Sequence, residues 1–242
     1  MKQYEAVIKI MKENGGFATL GFLNQNVDVS KWVTKTPFAS IRRIVQDERF
    51  FFNIKPGLWA LKSYSNKLPE DIIALKKGKI IKETEELNHS YYQGLLVDIG
   101  NIKKYSTFIP NQDKNKKYLG KKLSEIISMS SFFRFSYEEF INRARTVDVS
   151  WFNIRRMPSF FFEIEHKTDI QNSLLKFVDL QDFNVEFIIV ANEKRKREFD
   201  KKVNFTAFES IKERVKFLNY EKLSYWHSKS FEIYSIENYL NS

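Results

Sequence analysis

The sequence predicts an α/β (α+β) protein in two parts: a small helical N-terminal unit closed by a hairpin, then a core with a central mixed sheet flanked by helices. Three observations carry that expectation. Apolar residues recur at helical spacing through roughly the first 45 residues, and the pattern then changes to strand, turn and strand over 51–61. From residue 83 onward, helical stretches alternate with short apolar strands. Two of those strands, VDVSWF and SFFFEIEHK, carry acids among their apolar residues.

The N-terminal elements come first. Tyr4, Val7, Ile8 and Met11 share one helical face, and Asn14-Gly15-Gly16 ends it. A second short helix fits Ala18 to Gln25, and a third starts after Thr36 with Pro37 in its first turn and Phe38, Ile41, Ile44 and Val45 on one side. FFNI, KPG and LWAL then read as strand, turn and strand. Three helices and a two-stranded wing make a winged helix-turn-helix over 1–64. Its third helix turns Arg43, Ala39 and Gln46 away from the apolar side, with Arg42 on the flank and Lys35 just ahead. Arg and Gln are the side chains that read guanine and adenine in a major groove.

A polar connector is expected over 65–82, with Pro69 and the basic run KKGK at 76–79. Beyond it, over 83–242, the pattern predicts a helix from about Lys82 to Ile99, a strand near 106–109, a lysine-rich loop and more helix around 123–144. VDVSWF, SFFFEIEHK, a helix over 170–180, the strand VEFIIVA and a terminal helical SIENYLNS follow.

Composition narrows the function. The 242 residues are 43% hydrophobic and 16% aromatic, enough for a folded core. A net charge of +10 favours a polyanionic partner, duplex DNA first. Lysines 114, 116, 117, 121 and 122 and the run 194–197 are candidate phosphate contacts, though solvated loops carry such runs too. No apolar run approaches the roughly 18 residues of a membrane span, and MKQYE is no signal peptide, so no membrane and a cytoplasmic location are expected. With no cysteine there is no disulfide or thiolate metal site, and the three histidines share no ligand spacing. GFATLGFL lacks the Lys and Ser/Thr of a phosphate loop, and no GxGxxG occurs.

The acidic strands hold the candidate chemistry. In FFFEIEHKTD, strand alternation sends Glu163, Glu165 and Lys167 to one face and Phe162, Ile164 and His166 to the other. Fifteen residues separate Asp148 from Glu163, which suits a strand, a tight turn and an antiparallel return that sets Asp148 beside the glutamates. Converging carboxylates hold Mg²⁺ (or Mn²⁺), which activates water for phosphodiester hydrolysis. A salt-bridged sheet face would carry the same residue types. Thr168 and Asp169 read as the cap of the next helix.

Two resemblances rest on these residues. TPFASIRRIVQDERFFFNIKPGLWAL, at 36–61, resembles the HARE-HTH winged-helix modules, which implies a DNA-binding unit over nearly all of the first 62 residues. VDVSWF followed by FFFEIEHKT is similar to the active-site core of the PD-(D/E)xK nuclease superfamily, and HSYYQGLLVDIG resembles the preceding helix of its restriction-endonuclease members, which often carry a glutamine where Gln93 stands. Val147 replaces the motif's proline. Two registers fit: Glu165 with Lys167, or Glu163 with Glu165 in the lysine position.

The resemblance implies a restriction-endonuclease-like core over roughly 83–191, with Asp148, Glu163 and Glu165 around the metal and Lys167 and Gln93 assisting. The resulting expectation is a Mg²⁺-dependent type II restriction endonuclease acting as a homodimer. Arg42, Arg43, Gln46, Lys35, Lys116 and Lys117 are its expected DNA contacts. The alternatives are a non-catalytic DNA-binding regulator with a degenerate nuclease fold, and a repair or transposition nuclease.

Overall fold

The computed structural model of the chain describes residues 2–77 and 81–240. Helix α1 (Gln3–Glu13) buries Ala6, Val7 and Met11 along one stripe and stops where Gly15 and Gly16 take φ angles of 77° and 89°. A side chain on Gly16 would also overlap the Tyr64 ring. Strand β1 (Phe17–Thr19) leads into α2 (Leu20–Asn26), capped by Thr19 Oγ1, which accepts from the Phe22 N–H at 3.1 Å. The second helix therefore starts later than its apolar pattern suggests, because Phe17 to Thr19 are paired in a sheet. Helix α3 (Pro37–Ile44) opens on proline and buries Ile41, with Val45 just beyond its end. Strands β2 (Phe51–Lys55) and β3 (Leu58–Leu61) turn at Gly57, and an antiparallel sheet of order β1-β3-β2 results.

The stretch read as a connector contains a helix, α4 (Glu70–Lys77), because Ile72 and Leu75 are spaced to bury one side and Glu70 and Asp71 suit its N-terminus. Of the basic run at 76–79, Gly78 and Lys79 lie outside the described residues. Helix α5 (Ile81–Ile102) follows, then β4 (Ser106–Phe108) and a short ribbon, β5 (Lys117–Tyr118) and β6 (Lys121–Lys122). Helix was expected around 123–144, but only α6 (Glu138–Ala144) is α-helical there. Ser128 explains part of the difference: its Oγ accepts from the Thr107 N–H at 2.7 Å and its own N–H donates to Thr107 Oγ1, an alternative to helical bonding. Phe132 meanwhile packs into the core.

Strands β7 (Val149–Phe152) and β8 (Pro158–Glu165), helix α7 (Ile170–Asp179), β9 (Glu186–Ala191), α8 (Lys196–Val203), β10 (Val215–Asn219) and α9 (Tyr220–Leu240) complete the chain. The terminal helix is far longer than SIENYLNS suggests, and the last two residues of that motif lie outside the described residues. The central sheet has five strands in the order β10-β9-β8-β7-β4. It is mixed: β8, β9 and β10 run parallel, while β7 is antiparallel to both β8 and β4. Helices flank it. Phe161 stacks on Phe187, which stacks on Phe177 of α7, so odd-numbered β8 residues face α7. Phe160 and Phe162 meet Trp151, and Trp151 packs against Gly100 of α5.

The chain divides into two compact units, Glu85–Leu223 and, discontinuously, Met1–Thr84 with Ser224–Ser242. Within the latter, Asn24 Nδ2 donates to the Ser228 carbonyl at 3.1 Å, and Gly57 approaches Ser224 so closely that a side chain there would overlap its hydroxyl. Among the described residues no helix is long and apolar enough to cross a membrane. Gly16→Ala should destabilise the protein by about 1–3 kcal/mol, combining the left-handed backbone penalty with the Tyr64 overlap. Chemical denaturation of both proteins measures the difference.

Candidate active site

The antiparallel register of β7 and β8 pairs Val149 with Phe162, and its continuation sets Asp148 opposite Glu163. Asp148 Oδ2 accepts the Ile164 N–H at 2.7 Å, which ties the end of one strand to the other. Glu163 and Glu165, two apart on β8, share the α7 face and are both buried, at 3% and 4% exposure. The Ser173 hydroxyl lies between them, 3.1 Å from Glu163 Oε2 and hydrogen-bonded to Glu165 Oε1. Thr168 Oγ1 also donates to Glu165. Asp148, Glu163, Glu165, His89, His166 and Lys176 all line one cavity of about 410 Å³.

Lys167 lines the same cavity but does not stand in line with the two glutamates as the alternation implied. Strand β8 ends at Glu165, so Lys167 falls past the last paired residue, and its ammonium pairs with Glu85 instead. The cation beside Glu163 is Lys176, which projects from α7 and donates to both carboxylate oxygens at 2.9 Å and to the Thr146 carbonyl at 3.0 Å. Asp169 caps that helix, as its sequence suggests, by accepting from the Gln171 N–H at 2.8 Å. Arg195 follows β9 and stands 3.8 Å from Glu165, so one member of the basic run 194–197 turns inward.

Helix α5 brings further groups. His89 Nε2 lies 3.4 Å from Asp148 Oδ1. His89, Asp113 and Asp148 offer ligand atoms within 4.8 Å of one another, a grouping that the unmatched histidine spacing did not reveal. Gln93, one turn on, is buried and does not line the cavity. Its Nε2 donates to Asp113 Oδ2 at 2.8 Å and to the Asp148 carbonyl at 3.0 Å, so it positions the Asp148 backbone. Lys116 lines the cavity and is tied to Asp113 at 2.7 Å and to Glu86 at 3.7 Å, whereas Lys117 is exposed.

The remaining candidates belong to the first unit. Lys35, Arg43 and Gln46 are exposed. Arg42 is half-buried, with its guanidinium over the Tyr225 ring and Nη2 3.4 Å from Ser228 Oγ, so α9 occupies it.

Electrostatics separate the acids. Burial, the Asp148 charge and its Glu165 neighbour push Glu163 well above the usual carboxylate range, against the pull of Lys176. Burial also raises Glu165, partly offset by its bonds to Ser173 and Thr168. Asp148 is held low: burial opposes ionisation, but His89, the Ile164 N–H and Lys176 outweigh it. Burial lowers His89, and the Asp148 charge more than reverses that.

Residues 67–237 match the family described as the type II restriction enzyme NmeDI C-terminal domain. The chain belongs to that family. No curated protein and no solved structure matches the chain. The stretch shared with the NmeDI C-terminal-domain family contains Asp148, Glu163, Glu165 and Lys176 and begins after β3. Membership makes this a restriction-enzyme type of nuclease, a class that acts on DNA.

The titrations fix a sign. Glu163 and Glu165 are raised above 4.5 and His89 above 6.5, so each contributes stability that is present below that value and lost as pH rises through its folded pKa. Asp148 acts oppositely, and only as pH falls below 3.8. Protein in EDTA should therefore be more stable near pH 5 than near pH 8. Thermal unfolding across that range checks this, and greater stability at the alkaline end would contradict it.

Proposed function

We propose that this protein is a divalent-metal-dependent type II restriction endonuclease that hydrolyses phosphodiesters in duplex DNA, aided in site recognition by an N-terminal winged helix. The observation that carries the proposal is the meeting of half-buried Asp148 with buried Glu163 and Glu165 at one cavity, in a chain of a restriction-enzyme family. Their all-oxygen donor set fits a hard cation such as Mg²⁺ or Mn²⁺. Burial and mutual repulsion leave both glutamates prone to hold protons, a condition that a dication relieves. Asp148, Glu163 and Glu165 would hold the ion, which when bound supplies Lewis-acid stabilisation and a hydroxide at neutral pH.

The chain's own groups prepare that chemistry. The Ile164 N–H fixes one oxygen of Asp148, and Ser173 holds the two glutamates at a set separation. Of the two registers, the geometry favours Glu163-Ile164-Glu165, with the ammonium supplied by Lys176 from α7. Lys176 sets a positive charge where the scissile phosphate gains negative charge. In the first unit, helices α1, α2 and α3 with an antiparallel sheet support the winged-helix reading, and exposed Arg43 and Gln46 are its base contacts. Cutting both strands takes two centres, so the working form is a homodimer.

Single-turnover cleavage of duplex DNA tests the site. EDTA should abolish cleavage and Mg²⁺ should restore it. Asp148→Ala and Glu163→Ala should each lower the rate by about 100-fold or more while the fold and DNA binding persist. Lys176→Ala should fall nearly as far, and Lys167→Ala should remain close to wild type. An inactive Lys167→Ala beside an active Lys176→Ala would reverse the register, and full activity in Asp148→Ala would remove the site.

Recognition is tested separately. Arg43→Ala should cost about 1–3 kcal/mol more on the cleaved sequence than on random duplex, the value of a bidentate base contact. Equal losses in a binding titration would reduce Arg43 to a phosphate contact.

A further inference from the structure

The β5–β6 ribbon has no part in the chemistry described above. Leu119 and Gly120, at its tip, have φ angles of 50° and 85°, the two-residue turn that matches strand twist. Its register pairs Lys117 with Lys122 and Tyr118 with Lys121. Lysine therefore faces lysine, and Lys117, Lys121 and Lys122 are all exposed. Neighbouring Lys114 and Lys116 are engaged, by the Ser130 carbonyl and by Asp113 and Glu86. No ion pair to the three ribbon lysines occurs among the described residues.

Like charges directly opposite one another destabilise a strand pair, and so short a ribbon is marginal by itself. This one is held from beneath. Tyr118 is buried, its hydroxyl donates to Asp98 Oδ2 at 2.7 Å, and its ring fills the notch at Gly94 of α5, where any side chain would overlap it. Ser90 Oγ donates to the Lys117 carbonyl at 2.6 Å. Ser90 adjoins His89, which faces Asp148, and Lys116, which lines the cavity, adjoins Lys117. The fold thus anchors a ribbon that carries three exposed lysines and follows directly on Lys116 of the cavity lining.

We propose that the ribbon is a phosphate clamp, in which Lys117, Lys121 and Lys122 bind the backbone of the duplex being cut. The proposal rests on the endonuclease reading and adds a binding surface to it. Duplex DNA supplies the dense negative charge that opposed lysines lack. An ammonium is a point charge without the planar fork of arginine, so the clamp adds affinity and salt dependence without sequence preference.

The test compares the full chain with Lys117→Gln/Lys121→Gln/Lys122→Gln, binding a cleaved duplex and a random duplex in EDTA across a salt series. Each neutralised phosphate contributes about 0.9 to the slope of log affinity against log salt, so the triple variant should lose about 2 to 3 units of slope on both duplexes. Its melting temperature without DNA should be unchanged or higher, because the opposed charges are gone. An unchanged slope, a loss confined to one sequence, or a lowered melting temperature would each overturn the clamp. If the wild-type protein shows no salt-dependent duplex binding, the endonuclease reading fails and the clamp with it.

Discussion

Bringing Asp148, Glu163 and Glu165 out of water at one end of a sheet is the constraint around which the second unit is arranged. An ionised carboxylate buried alone costs several kcal/mol, and adjacent like charges add to that. The compensation comes from three elements: Lys176 from α7, His89 from α5 and Arg195 beyond β9. Sheet order makes this possible. With β8 between antiparallel β7 and parallel β9, the acids and the start of the segment after β9 meet at the same sheet end, beneath α7. The compensation is incomplete, as the raised titration of both glutamates shows.

Much of this arrangement is legible in the order of residues, because it depends on short-range periodicity. Alternation along FFFEIE puts two glutamates on one face, and the spacing from Asp148 suits a hairpin return. Asp169 as a helix cap and proline and glycine as markers of α3 and the β2–β3 turn are equally local signals. The same alternation misleads at Lys167, since periodicity does not announce where a strand stops pairing. Lys176 and His89 escape detection because each reaches the site through the docking of a helix on a sheet. Ser128 had a similar effect on 123–144, where side-chain bonds to Thr107 replaced a helix that composition allows.

Gln93 holds a different kind of position from a reacting group. Its carboxamide spans Asp113 and the Asp148 backbone and lies outside the cavity lining, so its effect on the site passes through the placement of Asp148. Arg42 is a parallel case. Helical geometry places it on the flank of α3, but its guanidinium is covered by Tyr225 and Ser228, leaving Arg43 as the outward arginine.

The discontinuity of the first unit also sets an order of events during synthesis. Residue 224 leaves the ribosome 140 residues after residue 84, which at about 5–20 residues per second is about 7–28 s later. All of the unit spanning Glu85–Leu223 is translated within that interval, while α2 and the β2–β3 turn wait for the helix that contacts Asn24 and Gly57. The acidic cluster can therefore assemble on a nascent chain whose N-terminal unit is still incomplete, and that unit's unfilled surface is the one exposed longest to misassembly or to chaperones.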